Sequence, residues 1–159
     1  MSTDVFARLG DIRGESTDDQ HKDEIEVLSW SWGVTQSGSI AHGGGGRAGK
    51  ASFQDLVFTH RLDRASPRLL RACATGEHIR DATISQRKAG DDRQDFLLIK
   101  LSDVVITGVA PAYAGEGSET IESVALQFGR VELEYRAQKP DGSIEPVEFK
   151  YDIRANREG

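Results

Sequence analysis

The chain holds 159 residues with a formal net charge of −6, a size that fits one domain able to bury roughly two-thirds of the surface its unfolded form exposes. The negative balance excludes proteins that wrap nucleic acid or coat an anionic membrane, since both need a concentrated positive surface. A single cysteine, Cys73, excludes an intrachain disulfide framework and points to folding in a reducing cytoplasm. Residues 1–6 carry neither the basic nor the apolar stretch of a signal peptide, and no apolar run is long enough to span a bilayer.

Residues 5–12 alternate apolar and polar and predict a first strand that breaks at Gly14, followed by an exposed polar loop over 15–23. From Ile25 the alternation resumes through Val27, Leu28, Trp30 and Trp32 to Val34. This predicts one long strand with Ser29, Ser31 and Gly33 on the face opposite the tryptophans. Small polar residues suit a wall that faces water or a partner, and equally the solvated side of an ordinary antiparallel sheet. Residues 37–50, dominated by Gly43, Gly44, Gly45 and Gly46, predict a long extended loop; loops of that length inside a compact domain are commonly functional. Residues 52–60, with Phe53, Leu56, Val57 and Phe58, return to strand composition.

One helix follows, with Ser66 as N-cap, Pro67 at the first helical position and Gly76 as the stop. Leu69, Leu70 and Cys73 fall on its apolar face, while Arg68 and Arg71 stay in solvent. Strands are then expected at 82–88, 96–101, 104–109, 121–128, 131–137 and 147–153, and the Pro140-Asp141-Gly142 turn joins the last two as a hairpin. The fold class is mainly β, a sandwich or barrel with one short helix packed on it, and residues 1–159 form one domain.

Few motifs carry chemistry. Gly44 to Lys50 reproduces most of a phosphate-binding G-x-x-x-x-G-K loop, but Ala51 stands where a Ser or Thr must hold Mg²⁺, and a strand rather than a helix follows. His42 before its glycines lacks the G-x-S-x-G elbow that an esterase needs. His21, His42, His60 and His78 have no paired spacing and read as scattered surface residues, so no zinc site is expected. Cys73 reads as a small buried hydrophobe, and Asp91, Asp92, Glu116 and Glu119 as solvated turn charges. No catalytic, metal or cofactor site is expected.

The segments Gly10-Asp11-Ile12-Arg13-Gly14-Glu15-Ser16 and Glu24-Ile25, the strand Leu28-Ser29-Trp30-Ser31-Trp32-Gly33, and the glycine loop follow one another in order. After them come Phe53-Gln54-Asp55-Leu56, the Ser66-Pro67 helix with Ala72-Cys73 and Gly76, Lys88-Ala89-Gly90, and Gln138-Lys139-Pro140-Asp141-Gly142. This ordered set, spanning nearly the whole chain, resembles the Hcp family, the haemolysin-coregulated proteins of bacterial type VI secretion. The resemblance implies a small antiparallel β-barrel with a helix on its flank over about residues 66–75, assembling with itself into hexameric rings that stack into an inner tube. It also implies spike and sheath components as partners, small effector proteins carried in the ring lumen, and no enzymatic activity. Synthesis in the cytoplasm, export through the type VI machinery without a signal peptide, and no membrane insertion complete the expectation. Within such a ring the glycine loop becomes the candidate for contacts between subunits or stacked rings, through Ser39, His42, Gly43, Gly44, Gly45, Gly46, Arg47 and Lys50. Alternation then sets Ser29 and Ser31 on the lumen face and Trp30 and Trp32 in the core. The competing reading is a monomeric β-barrel that binds a small ligand in a closed apolar pocket.

Overall fold

Alternating β-branched, aromatic and small residues build most of the protein into antiparallel strands. The computed structural model describes residues 3–38, 51–88 and 94–159. In chain order the elements are β1 (Thr3–Leu9), β2 (Ile25–Glu26), β3 (Ser29–Ser31), β4 (Val34–Thr35), β5 (Ser52–Phe53), β6 (Leu56–Arg61), α1 (Ser66–Thr75), β7 (His78–Lys88), β8 (Asp95–Tyr113), β9 (Thr120–Gln138), β10 (Ile144–Asp152) and β11 (Arg157–Glu158). The main sheet has the order β11-β10-β9-β8-β7-β1-β2, with β6 on β9 and β3 on β6, while β4 and β5 form a separate pair. Every pairing is antiparallel.

The frame is the β8–β9 hairpin, whose arms of 19 residues each pair from Leu97↔Tyr135 to Tyr113↔Thr120. On its other edge β9 pairs with β6 over residues 121–126 and with β10 over 130–138. The hairpin therefore belongs to two leaves at once. Between the leaves both arms kink, at Asp103, which has φ 55°, and opposite it at Gly129. Leu101 is buried and so are Val104 and Ile106; on β9, Val131 is buried and so are Phe128 and Leu126. The buried positions step by three at the kink, where a regular strand steps by two. That extra residue keeps apolar side chains on the core side of both leaves. The sequence predicts separate strands on either side of residues 102–103 and 129–130; the breaks are in place, but they are kinks within continuous strands.

The single long strand expected from Ile25 to Val34 is instead three short ones. Its first part pairs with β1 (Phe6↔Glu26) and its middle with β6 (Ser29↔Thr59). The handover falls at Val27, whose N–H donates to Val5 O, and Leu28, whose N–H donates to Thr59 O. The segment thus bridges the two ends of the sheet, yet β2 and β6 share no strand pairing, so the barrel does not close as a continuous ladder. Between the leaves lies one core, with Phe58, Leu56, Ile99, Leu101, Ile106 and Leu126 all fully buried.

Helix α1 packs Leu69 and Ala72 into that core with Cys73 half-buried beside them. Leu70, expected inside, is 41% exposed, because the next residue along a helix turns about 100° away from the buried stripe. Ser66 is the first helical residue and Ala65 occupies the N-cap; the capping work passes to Asp63, whose carboxylate accepts from Ala65 N–H while its own N–H donates to Ser66 Oγ. Gly76 ends the helix at φ 65°, the left-handed geometry expected of a glycine stop. The turn after β9 is as expected, with Lys139 N–H donating to Ser143 O and Gly142 at φ 86°.

The loop over 15–23, expected to be exposed, folds back as a strap on the outer face of β1. Gly14 starts it because a Cβ there would stand 2.5 Å from Glu24 O. His21, buried, stacks on Phe6 with ring centroids 4.4 Å apart, and the Arg87 guanidinium lies 5.2 Å from the centre of the same ring. Arg87 grips the Asp18 carboxylate with both terminal nitrogens. The strap is polar in sequence because its anchors are ionic.

Candidate functional site

β3 carries Ser29 and Ser31 outward and Trp30 inward, as the alternation predicts. Trp30 Nε1–H donates to Gln86 Oε1 at 3.1 Å, which holds the indole against the core. Trp32, beyond β3, packs between Phe53 and Phe128 with centroids 6.2 and 6.1 Å away. The outward serines do not stand alone. Strand register extends their row across the leaf: Ser29 lies opposite Thr59, Thr59 opposite Ser123, and Ser123 opposite Ala110. The next row is Ser31, Val57, Ala125 and Gly108. In both rows the neighbours Trp30, Phe58 and Val124 point into the core, so these small residues share the outer face.

The result is an uncharged wall across β3, β6, β9 and β8. Its limits are charged or polar: Arg61 pairs with Glu119 at 2.8 Å at one end, and Thr107 Oγ1–H donates to Asp55 Oδ2 at 2.7 Å at the other. Within the wall, Ser29 Oγ and Thr59 Oγ1 share a hydrogen bond of 2.6 Å, so part of its polarity is satisfied internally. Sequence reasoning found Ser29 and Ser31 but missed Val57, Thr59, Gly108, Ala110, Ser123 and Ala125. The signal was present: the same small-residue alternation runs between Val109, Val124 and Leu126.

The proposed contact residues Ser39, His42, Gly43, Gly44, Gly45, Gly46, Arg47 and Lys50 lie outside the described residues, as do Asp91 and Asp92. Beyond Ala51 the chain runs into β5 and β6, so the helix that a phosphate-binding loop requires does not follow. Two histidines depart from the expected surface placement. His21 is buried in the strap, and His60 is fully buried on β6, because it continues the inward row of Leu56 and Phe58. His60 Nε2 lies 2.8 Å from Glu122 Oε1, with both side chains at 0% exposure. Burial pulls the His60 imidazole toward its neutral form, but the nearby carboxylates of Asp63 and Glu122 outweigh it and hold the pKa above 6.5. His78 is exposed beside Asp103 at 3.3 Å. Among the described residues no group of three or more His, Cys, Asp or Glu is placed to hold a metal ion, and no helix is long and apolar enough to cross a membrane.

Among the described residues the protein is thus a mainly antiparallel β domain with one helix on its flank and an uncharged outer wall. The family model described as type VI secretion system effector, Hcp, matches residues 6–135. The chain is 43% identical to protein hcp1 of Pseudomonas aeruginosa over 98% of each chain. It superposes on the crystal structure of Hcp1 from Salmonella typhimurium with a TM-score of 0.84 and 38% identity, covering 99% of both chains. A type VI secretion system effector from Yersinia pestis matches with a TM-score of 0.78 and 35% identity, over 94% of this chain and 100% of that one. The chain belongs to the Hcp family of type VI secretion proteins.

Proposed function

We propose that this protein is a tube subunit of a type VI secretion system: copies close into hexameric rings, the rings stack into an inner tube, and small effector proteins ride in the lumen. The observation that carries the cargo role is the uncharged wall of Ser29, Ser31, Thr59, Ser123, Ala125 and Gly108 across four neighbouring strands. A wall without fixed charge holds varied cargo weakly and releases it, where a charged one would select by sign.

Assembly answers a further physical need. Among the described residues β10 pairs on that side with β11 only at Tyr151 and Asp152, so its outer edge over 144–149 has no strand partner there, and Ile144 and Val147 are exposed. Exposed strand edges invite pairing with another chain, and a ring of identical head-to-tail contacts closes without leaving any free. The glycine loop over 37–50 supplies further contacts between subunits or rings. Spike and sheath components are the remaining partners, and the protein is made in the cytoplasm and exported through the same machinery. Electron microscopy of the purified protein tests the assembly: six-membered rings are expected, and a stable monomer would overturn it.

A further inference from the structure

β6 and β9 carry a histidine and a carboxyl side chain into the core, side by side. His60 and Glu122 face each other in register, joined by the Nε2–Oε1 contact of 2.8 Å. Among the described residues neither Glu122 Oε2 nor His60 Nδ1, both buried, has a hydrogen-bond partner. Asp63 Oδ2 stands 3.7 Å from that nitrogen, close enough to act as a charge but beyond hydrogen-bond reach. Asp63 is also the residue that organises the start of α1 through Ala65 and Ser66. One imidazole therefore stands between β9, β6 and the first turn of the helix.

The charged groups that bear on His60 are Glu122 from β9 and Asp63 from the turn before α1. β8 contributes Pro111 opposite Glu122, and Arg61 turns outward to Glu119. An imidazolium between two carboxylates compensates charge that a neutral imidazole would leave bare in a buried site. We propose that Glu122, His60 and Asp63 form a proton-operated lock that fastens the β6–β9 seam to helix α1 while His60 carries its proton and loosens both when the proton is lost. The lock is independent of the tube reading.

The sign follows from the raised His60 pKa: the stabilisation is complete below about 6.5 and is lost as pH rises through the higher folded value. Amide hydrogen exchange of the full-length protein at pH 6 and pH 9, corrected for the intrinsic base-catalysed rate, tests this. Opening of residues 60–69 and 121–124 should rise severalfold from pH 6 to pH 9, while the β1–β7 ladder, which holds the other buried histidine's strap, changes less. His60→Gln should abolish the difference. Equal changes in both regions would overturn the lock. Should the variant fail to fold, nitrogen NMR of the wild-type imidazoles decides: protons on both His60 nitrogens at pH 6 support the lock, and a neutral ring there refutes it.

Discussion

Ser29 and Thr59 share a hydrogen bond of 2.6 Å between their hydroxyl oxygens across β3 and β6, which turns two polar side chains on an exposed face toward each other. The wall they belong to is therefore smoother chemically than its composition suggests, and it can be altered without touching the core.

Ser31→Gln adds bulk and amide groups to the wall at an exposed position. Stability should stay within ~0.5 kcal/mol of the parent, and rings should still form under the electron microscope. Cargo co-purifying with them should fall by about tenfold, which corresponds to roughly 1.4 kcal/mol. Loss of the rings would mean that Ser31 belongs to packing instead.

Arg87 is buried against Phe6 and holds Asp18. Arg87→Ala should cost about 2 kcal/mol by urea denaturation, the scale of charged hydrogen bonds lost at a partly buried site. The guanidinium keeps the Asp18 carboxyl below its usual 3.8, against the opposing effect of burial. A depressed folded pKa contributes stability above the unfolded value that disappears as pH falls through the folded one. Acid titration below about pH 4 should therefore cost the parent more stability than it costs Arg87→Ala.

Asp103 holds φ 55° at the kink, a region that costs most L-residues about 1–2 kcal/mol. Asp103→Val should destabilise by at least that amount, since a β-branched side chain tolerates the left-handed region poorly. Asp103→Gly should come within about 1 kcal/mol of the parent or exceed it, as relief of backbone strain offsets the lost contacts to His78 and Arg154. Thermal melts of the two variants separate the backbone contribution from the side chain.

Glu122→Ala leaves His60 buried without its partner and should cost about 3–5 kcal/mol. Replacing both residues together, Glu122→Leu with His60→Leu, should recover most of that loss, because apolar side chains of similar volume often substitute for a buried pair without penalty. A double-mutant cycle by chemical denaturation measures the coupling.

Period-two patterning made the strands legible, and the Pro-Asp-Gly turn and glycine stop are where local chemistry puts them. It also set Ser29 and Ser31 outward, since adjacent indoles demand the core. What the pattern did not convey was continuity. Asp103 and Gly129 carry the same residue preferences in a kink as in a turn, and only the pairing of β8 with β9 on both sides distinguishes them. His60 was misplaced by its residue type, although its position two residues beyond Phe58 marked it as inward. His21 was misplaced because a strap fastened by ions looks, in one dimension, like any solvated loop. The breadth of the wall depended on register between strands far apart in sequence, which no local pattern encodes.

The kinked hairpin has a mechanical consequence. Each of its arms runs through both leaves, so neither leaf owns a private set of strands that could survive alone. β9 has β8 on one edge and β6 and β10 on the other, so drawing β9 itself out of the sheet would unfasten all three. A domain pinned in this way is expected to open both leaves together rather than shed one of them.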